Sequence, residues 1–146
     1  MRILMAAALA AVLLAPALAQ QDRGTVGTWY GEGQPGDPDV KTVEHHMADG
    51  RYSIRSVKCD GDQAETSYEE GTWSTQDGLT VVVTTSIDGK EVHLIDKYKD
   101  VPSEDGATMT STLVESSYPG SPIGYVFVVR RVADDFDLPS CGTTTS

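Results

Sequence analysis

Apolar and polar residues alternate along much of the chain, and Asp-Gly pairs interrupt the alternation at regular intervals. The pairs begin at residues 49, 60, 77, 88 and 105, so the intervals are 11, 17, 11 and 17 residues. Because tight hairpin turns need positive φ, Asp-Gly between alternating apolar residues indicates a turn between antiparallel strands. The spacing fits strands and turns and leaves no room for a buried helix between them.

Eight strands are predicted between these turns. They cover about residues 26–33, 40–47, 51–59, 64–74, 79–87, 91–101, 107–116 and 123–132. Strands joined in sequence by short turns form an antiparallel meander, and closing it into an up-and-down barrel removes the exposed edges. The predicted fold class is therefore all-β, an eight-stranded up-and-down barrel, with a β-sandwich as the alternative.

The alternation also predicts which side chains face the inside of the barrel. On the fifth strand these are Leu79, Val81, Val83 and Ile87, and on the sixth Asp96 shares the inward face with apolar residues. The predicted wall of a ligand site is Tyr52, Ile54, Leu94, Tyr98, Met109, Leu113, Tyr125 and Phe127. Core filling is the alternative for these residues, since eight-stranded barrels either pack solid or hold one small ligand.

The first nineteen residues have the pattern of a secretory signal peptide. Arg2 precedes an apolar run over residues 3–15, and Ala17-Leu18-Ala19 has the small residues of a cleavage site. The predicted organisation is a cleaved signal peptide over 1–19, a barrel over 20–132 and a C-terminal tail over 133–146. The mature protein is expected to be periplasmic or secreted.

The predicted mature chain is strongly acidic. It keeps ten basic and all twenty-two acidic residues, a net charge of −12. Nucleic acids and anionic membrane surfaces attract basic patches, so neither is expected as a partner. No membrane insertion is expected, and the protein is expected to be a monomer.

Cys59 and Cys141 are the two cysteines of the chain. In an exported protein the default for such a pair is a disulfide, which would pin the tail to the barrel. Two free thiols or a metal-binding pair is the weaker alternative, because the spacing matches no CxxC site.

The sequence shows no catalytic constellation. GxSxG, HExxH and P-loop motifs are absent from the chain. His45 and His46 are adjacent, so on a strand they face opposite sides and cannot easily bind one ion. No metal, cofactor or enzymatic activity is predicted; an enzyme would need a buried Asp96, Glu115 or His45 at the bottom of a pocket.

Two short motifs, one on the first predicted strand and one on the last, resemble a known family. Gly27-x-Trp29 on the first strand, with Arg130-Arg131 ending the last, resembles the lipocalin-like barrels of the calycin superfamily. The resemblance implies that Trp29 fills the closed end of the barrel and that Arg130 or Arg131 lies across it. It also implies a C-terminal tail tied to the barrel by a disulfide.

A third motif, Gly71-Thr72-Trp73 followed by Leu79-Thr80-Val81, is similar to the repeated strand pattern of small bacterial lipocalin-like domains. This gives Trp73 a structural role. The chain departs from the family in its short length and in the connection over 34–39, which is too short for a long lid.

The resemblance places the open end opposite Trp29, where the loops are acidic. The rim would carry Asp37, Asp39, Asp60, Asp62 and Asp88. The predicted function is binding of a small apolar or amphipathic ligand, neutral or cationic, in the barrel mouth. The alternative is a solid-core barrel that acts as a protein-interaction or protease-inhibitor module in the cell envelope.

Overall fold

The computed structural model describes residues 24–34 and 37–142, which form eight β-strands and no helix. The predicted signal peptide lies outside the described residues. The strands are β1 Gly27–Gln34, β2 Asp37–His46, β3 Arg51–Asp60, β4 Gln63–Gln76, β5 Leu79–Ile87, β6 Lys90–Pro102, β7 Thr108–Ser116 and β8 Val126–Val132. Within the described ranges no helix is long and apolar enough to cross a bilayer.

The strands follow one another around a closed barrel in chain order. Each pairs antiparallel with the next, and β8 closes on β1 from Thr28↔Val132 to Gly31↔Val129. The predicted up-and-down barrel is confirmed, and its strand bounds agree within a few residues. The β-sandwich alternative is wrong, because closure of β8 on β1 makes one continuous sheet.

The Asp-Gly pairs form the turns that the sequence predicts. Asp77 and Asp88 have φ of 51° and 49°, and the glycines that follow them have φ of 77° and 75°. Two successive residues with positive φ make a type I′ turn, whose twist matches that of the flanking strands. These turns fix the register of β4 with β5 and of β5 with β6.

Trp29 fills the end of the barrel where β1 begins, which is called the closed end below. The side chain is 0% exposed and packs with Met109 and Val129. Its ring nitrogen donates a hydrogen bond to the Thr25 carbonyl at 2.9 Å. The core at this end therefore forms around one large aromatic side chain.

Arg131 lies across Trp29, with its guanidinium carbon 4.2 Å from the ring centre. It donates hydrogen bonds to the carbonyl oxygens of Gly24, Val26 and Gly106 at 2.8–3.0 Å. The predicted contact between Trp29 and a terminal arginine is confirmed. A Cβ on Gly27 would collide with the same guanidinium, which explains why glycine stands two residues before Trp29.

Trp73 packs at the closed end in a second cluster with Tyr52, Ile54 and Val82. Its ring nitrogen donates to the Met47 carbonyl at 2.9 Å, which ties the end of β4 to the turn between β2 and β3.

The C-terminal segment, residues 133–142, lies on the outside of the barrel. Phe136 packs against Tyr30 with ring centroids 5.2 Å apart, and the Arg130 guanidinium lies over both rings. Arg55 donates to Asp137 at 3.2 Å. The segment ends at a disulfide between Cys59 and Cys141, a bond typical of oxidising compartments. The predicted disulfide is confirmed.

The inward face of β5 differs from the prediction. Thr80, Val82 and Thr84 face the interior, so Val81 and Val83 lie on the outer face. The register between β5 and β6 shifts between Thr84 and Ser86. This irregularity resets the alternation and returns Ile87 to the inward face, as predicted.

Candidate functional site

The barrel interior is hollow. A cavity of about 330 Å³ extends from the closed end to a mouth at the opposite end, called the open end below. Ile87, Tyr118 and Ser121 line it near the open end, and His46, Thr80 and Met109 line it near the closed end. The volume suits one small ligand, since ligand pockets start at about 300 Å³.

Most of the predicted wall residues line this cavity. They are Tyr52, Ile54, Leu94, Tyr98, Met109, Leu113 and Phe127. Tyr125 is not among the lining residues; its ring packs 6.1 Å from the Phe127 ring. The Phe127 ring also meets Tyr98 edge to face at 6.0 Å, so rings on β6, on β8 and just before β8 form a continuous group.

Four carboxylates also line the cavity, and three of them were not predicted as site residues. They are Glu44 on β2, Glu69 on β4, and Asp96 and Asp100 on β6. No Lys or Arg is among the described lining residues. The cavity is therefore an acidic compartment with aromatic and apolar walls.

The strand register explains how the acidic side chains reach the interior. Glu44 pairs with Ile54, and Ile54 pairs with Glu69, so the two glutamates flank one inward-facing isoleucine. Asp96 and Asp100 alternate with Tyr98 on the inward face of β6. For Asp96 and Asp100 the sequence signal is that they share a face of β6 with Leu94 and Tyr98, which were predicted to face inward. No inward face is predicted for β2 or β4, so the sequence gives no such signal for Glu44 and Glu69.

His46 lies at the closed end of the cavity and is 3% exposed. Its Nε2 lies 2.9 Å from a carboxylate oxygen of Glu44, and its ring stacks on Trp73 with centroids 5.0 Å apart. Its Nδ1 is buried and has no hydrogen-bond partner. The histidine thus presents one satisfied and one free nitrogen in the cavity region.

His45 faces the opposite side of β2, as the alternation predicts. Its Nδ1 lies 3.0 Å from the Thr28 hydroxyl, which donates to Asp134 at 2.6 Å. Since the hydroxyl has one hydrogen, Nδ1 of His45 is the donor to Thr28. Glu115 is exposed on the outer face and pairs with Lys97 at 2.9 Å. Of the three residues named for an enzyme, Asp96 alone lines the cavity.

Burial and the repulsion between neighbouring carboxylates raise the pKa values of several groups that line the cavity. Burial, with the nearby charges of Glu44 and Asp96, raises the pKa of Glu69 to about 7. Burial also raises the pKa of Asp100, although hydrogen bonds from Ser111 and Thr80 oppose the rise. The pKa of Tyr98 is raised by burial and by Asp96, so this phenol stays protonated.

Two of the carboxylates have an oxygen that nothing in the described protein satisfies. Oδ1 of Asp96 and Oδ1 of Asp100 are both buried without a hydrogen-bond partner. A buried acceptor that stays unpaired costs about 1–3 kcal/mol, and more when it is charged. The cavity is therefore better suited to a donor or a cation than to an apolar molecule alone.

The open end is acidic, in agreement with the predicted rim. Asp39, Asp60 and Asp62 are exposed there. Asp37 is partly neutralised by Lys58 at 2.8 Å, and Asp88 accepts a hydrogen bond from the Tyr68 amide at 2.8 Å. A cation that approaches the mouth meets a favourable field before it enters.

The described residues contain no group of three or more His, Cys, Asp or Glu side chains arranged to hold a metal ion. Comparison of the chain with protein-family models, with curated proteins and with solved structures found no match.

Proposed function

We propose that this protein is an exported lipocalin-like barrel that binds a small organic cation in its interior. The observation that carries the proposal is the set of inward-facing carboxylates, Glu44, Glu69, Asp96 and Asp100, with no Lys or Arg among the described lining residues. Export is inferred from the predicted signal peptide and from the disulfide, which is stable in an oxidising compartment.

The energetics of burial favour a cationic ligand. A carboxylate removed from water is costly unless it is paired or hydrogen-bonded. A protonated amine supplies both a positive charge and several N–H donors, and charge-assisted bonds of this kind are stronger than neutral ones. The free oxygens of Asp96 and Asp100 are suitable acceptors.

The walls suit the apolar part of such a ligand. Tyr52, Tyr98 and Phe127 supply aromatic faces, and Ile54 and Leu113 supply aliphatic surface. A cation near an aromatic face gains about 0.5–2 kcal/mol, depending on how far it is desolvated. The combined chemistry selects an amphipathic amine and disfavours a fatty-acid anion.

Three probes of equal length test the proposal: hexylamine, hexanol and hexanoate. Isothermal titration at about pH 8 is expected to show binding of hexylamine, weaker binding of hexanol and no binding of hexanoate. Glu69→Gln should weaken hexylamine binding, while Glu70→Gln on the outer face should not. Equal binding of amine and carboxylate, or no binding of the amine, would overturn the proposal.

A second candidate function, a protein-interaction module, is favoured by the apolar surface beside the mouth. Tyr118 and Ile123 in the connection between β7 and β8 are 59% and 58% exposed, and Val126 and Val128 are each 55% exposed. An envelope protein could cover this surface. This second function would be supported if the wild type retained one envelope protein that an Ile123→Ser, Val126→Ser double variant did not retain. Equal retention by both would count against it.

A further inference from the structure

The carboxylates of the cavity lie at two depths. Asp96 and Asp100 both face inward from β6 and are four residues apart, with Tyr98 between them. At about 3.3 Å per residue, they are separated by about 13 Å along the strand. Asp100 is nearer the closed end, because β6 runs towards the turn that precedes Met109.

The deep position is built around Asp100. The hydroxyls of Thr80 and Ser111 bond its carboxylate, and Glu44 and His46 are the titratable groups that act on it. His46 is itself almost fully buried, and its Nδ1 has no partner. The deep end of the cavity therefore holds the carboxyl group of Asp100 together with one unpaired nitrogen of His46.

The outer position is built around Glu69. Glu44 and Asp96 are the acidic groups whose charges raise its pKa most, and Asp88 acts in the same direction from the turn between β5 and β6. Oδ1 of Asp96 is buried without a partner, as is Oδ1 of Asp100 in the deep position. Each depth thus presents one carboxylate oxygen that lacks a donor.

We propose that the cavity takes a linear molecule with a protonated amine at each end, a diamine or polyamine; this inference rests on the cation-binding function proposed above. One ammonium group lies against Asp100 and the other against Glu69 and Asp96. The methylene chain between them contacts Val82 and Leu113, which line the cavity. A monoamine leaves one of the two positions without a cation.

Probes with one or two amine groups, tested on the wild-type protein, show whether the cavity selects a ligand with an ammonium group at each end. Diaminooctane and octylamine have the same carbon chain and differ by one amine. Isothermal titration at about pH 8 is expected to show the diamine binding at least about tenfold more tightly. Affinity should also rise from diaminobutane through diaminohexane to diaminooctane, because only the longer chains reach both positions. Equal affinity for octylamine and diaminooctane would overturn the inference.

Variants distinguish the deep position from general attraction to an acidic surface. Asp100→Asn should bring diaminooctane affinity down to about that of octylamine, so that the ratio of the two affinities falls from at least about ten to about one. Asp62→Asn, on the exposed rim, should change neither. The inference would be contradicted if Asp62→Asn weakened diaminooctane binding and Asp100→Asn did not. If no amine binds, octylamine included, the proposed function itself is refuted. If Asp100→Asn does not fold, the chain-length series on the wild-type protein tests the inference instead.

Discussion

The guanidinium of Arg131 lies 4.2 Å above the ring of Trp29, and the two residues are direct neighbours across the seam between β1 and β8. The contact covers the closed end of the barrel at the point where the sheet closes. The same guanidinium bonds three carbonyl oxygens, one of them in the turn between β6 and β7. The pair thus fixes the closed end of the barrel and the segment that precedes β1.

Replacing Arg131 should weaken the barrel more than replacing another surface arginine. Arg131→Ala removes a cation–π contact and three charge-assisted hydrogen bonds, so we expect a loss of about 1–3 kcal/mol in the free energy of unfolding. Arg51→Ala removes one exposed ion pair with Asp49 and should cost less than about 1 kcal/mol. Urea unfolding of both variants measures the difference, and similar losses would contradict the role given to Arg131.

The disulfide should contribute a large share of the stability. It joins residues 82 positions apart, and closing so long a loop in the unfolded chain is worth about 4–5 kcal/mol on the chain-entropy model. Unfolding in urea with and without dithiothreitol should show this loss. A Cys59→Ser, Cys141→Ser double variant should behave like the reduced protein and should not respond to the reductant.

The contribution of Glu69 to the free energy of unfolding should fall as the pH rises from about 5 to 8. Burial raises the pKa of Glu69 from 4.5 to about 7. Between these values the folded state binds more protons than the unfolded state, so the free energy of unfolding decreases with pH. Asp100, whose pKa is also raised, acts in the same direction. Glu69→Gln should flatten the decline, whereas Glu70→Gln should keep the wild-type slope; an unchanged slope in Glu69→Gln would contradict the assignment.

Amine binding should have the opposite pH dependence. Glu69 ionises near pH 7, while an alkylammonium, like the lysine side chain, stays protonated well above that pH. The affinity for hexylamine should therefore increase between about pH 6 and pH 8, and binding near pH 7 should release protons. Titration in buffers of different ionisation enthalpy measures the release. Glu69→Gln should abolish most of this proton release. Hexylamine binding that weakens as the pH rises would be inconsistent with a cation site.

The fold could be predicted because its local signals agree. The Asp-Gly pairs mark the hairpins, Trp29 and the terminal arginines mark the closed end, and the cysteines mark the tail. Each of these signals depends on a short-range or pairwise requirement, such as positive φ at a turn. Such requirements can be read from one chain.

The lining of the cavity was harder to predict, and β5 shows why. Alternation predicts that the apolar residues of β5 face inward, yet Thr80 and Thr84 face the interior while Val81 is 7% exposed on the outer face. A rule that sends apolar residues inward assumes a dry core, and it fails where the interior is a polar cavity. Alternation along β6 predicts that Asp96 faces inward, but the presence of Glu44 and Glu69 in the same cavity depends on how β2, β3 and β4 pair.

The crystal structure of the protein with hexylamine tests the central claim most directly. We expect the amine nitrogen inside the barrel, within about 3 Å of a carboxylate oxygen of Glu44, Glu69, Asp96 or Asp100, as charge-assisted hydrogen bonds require. The alkyl chain should point along the aromatic wall towards the mouth. An amine bound only on the outer surface, or a nitrogen in the cavity away from all four carboxylates, would contradict the account.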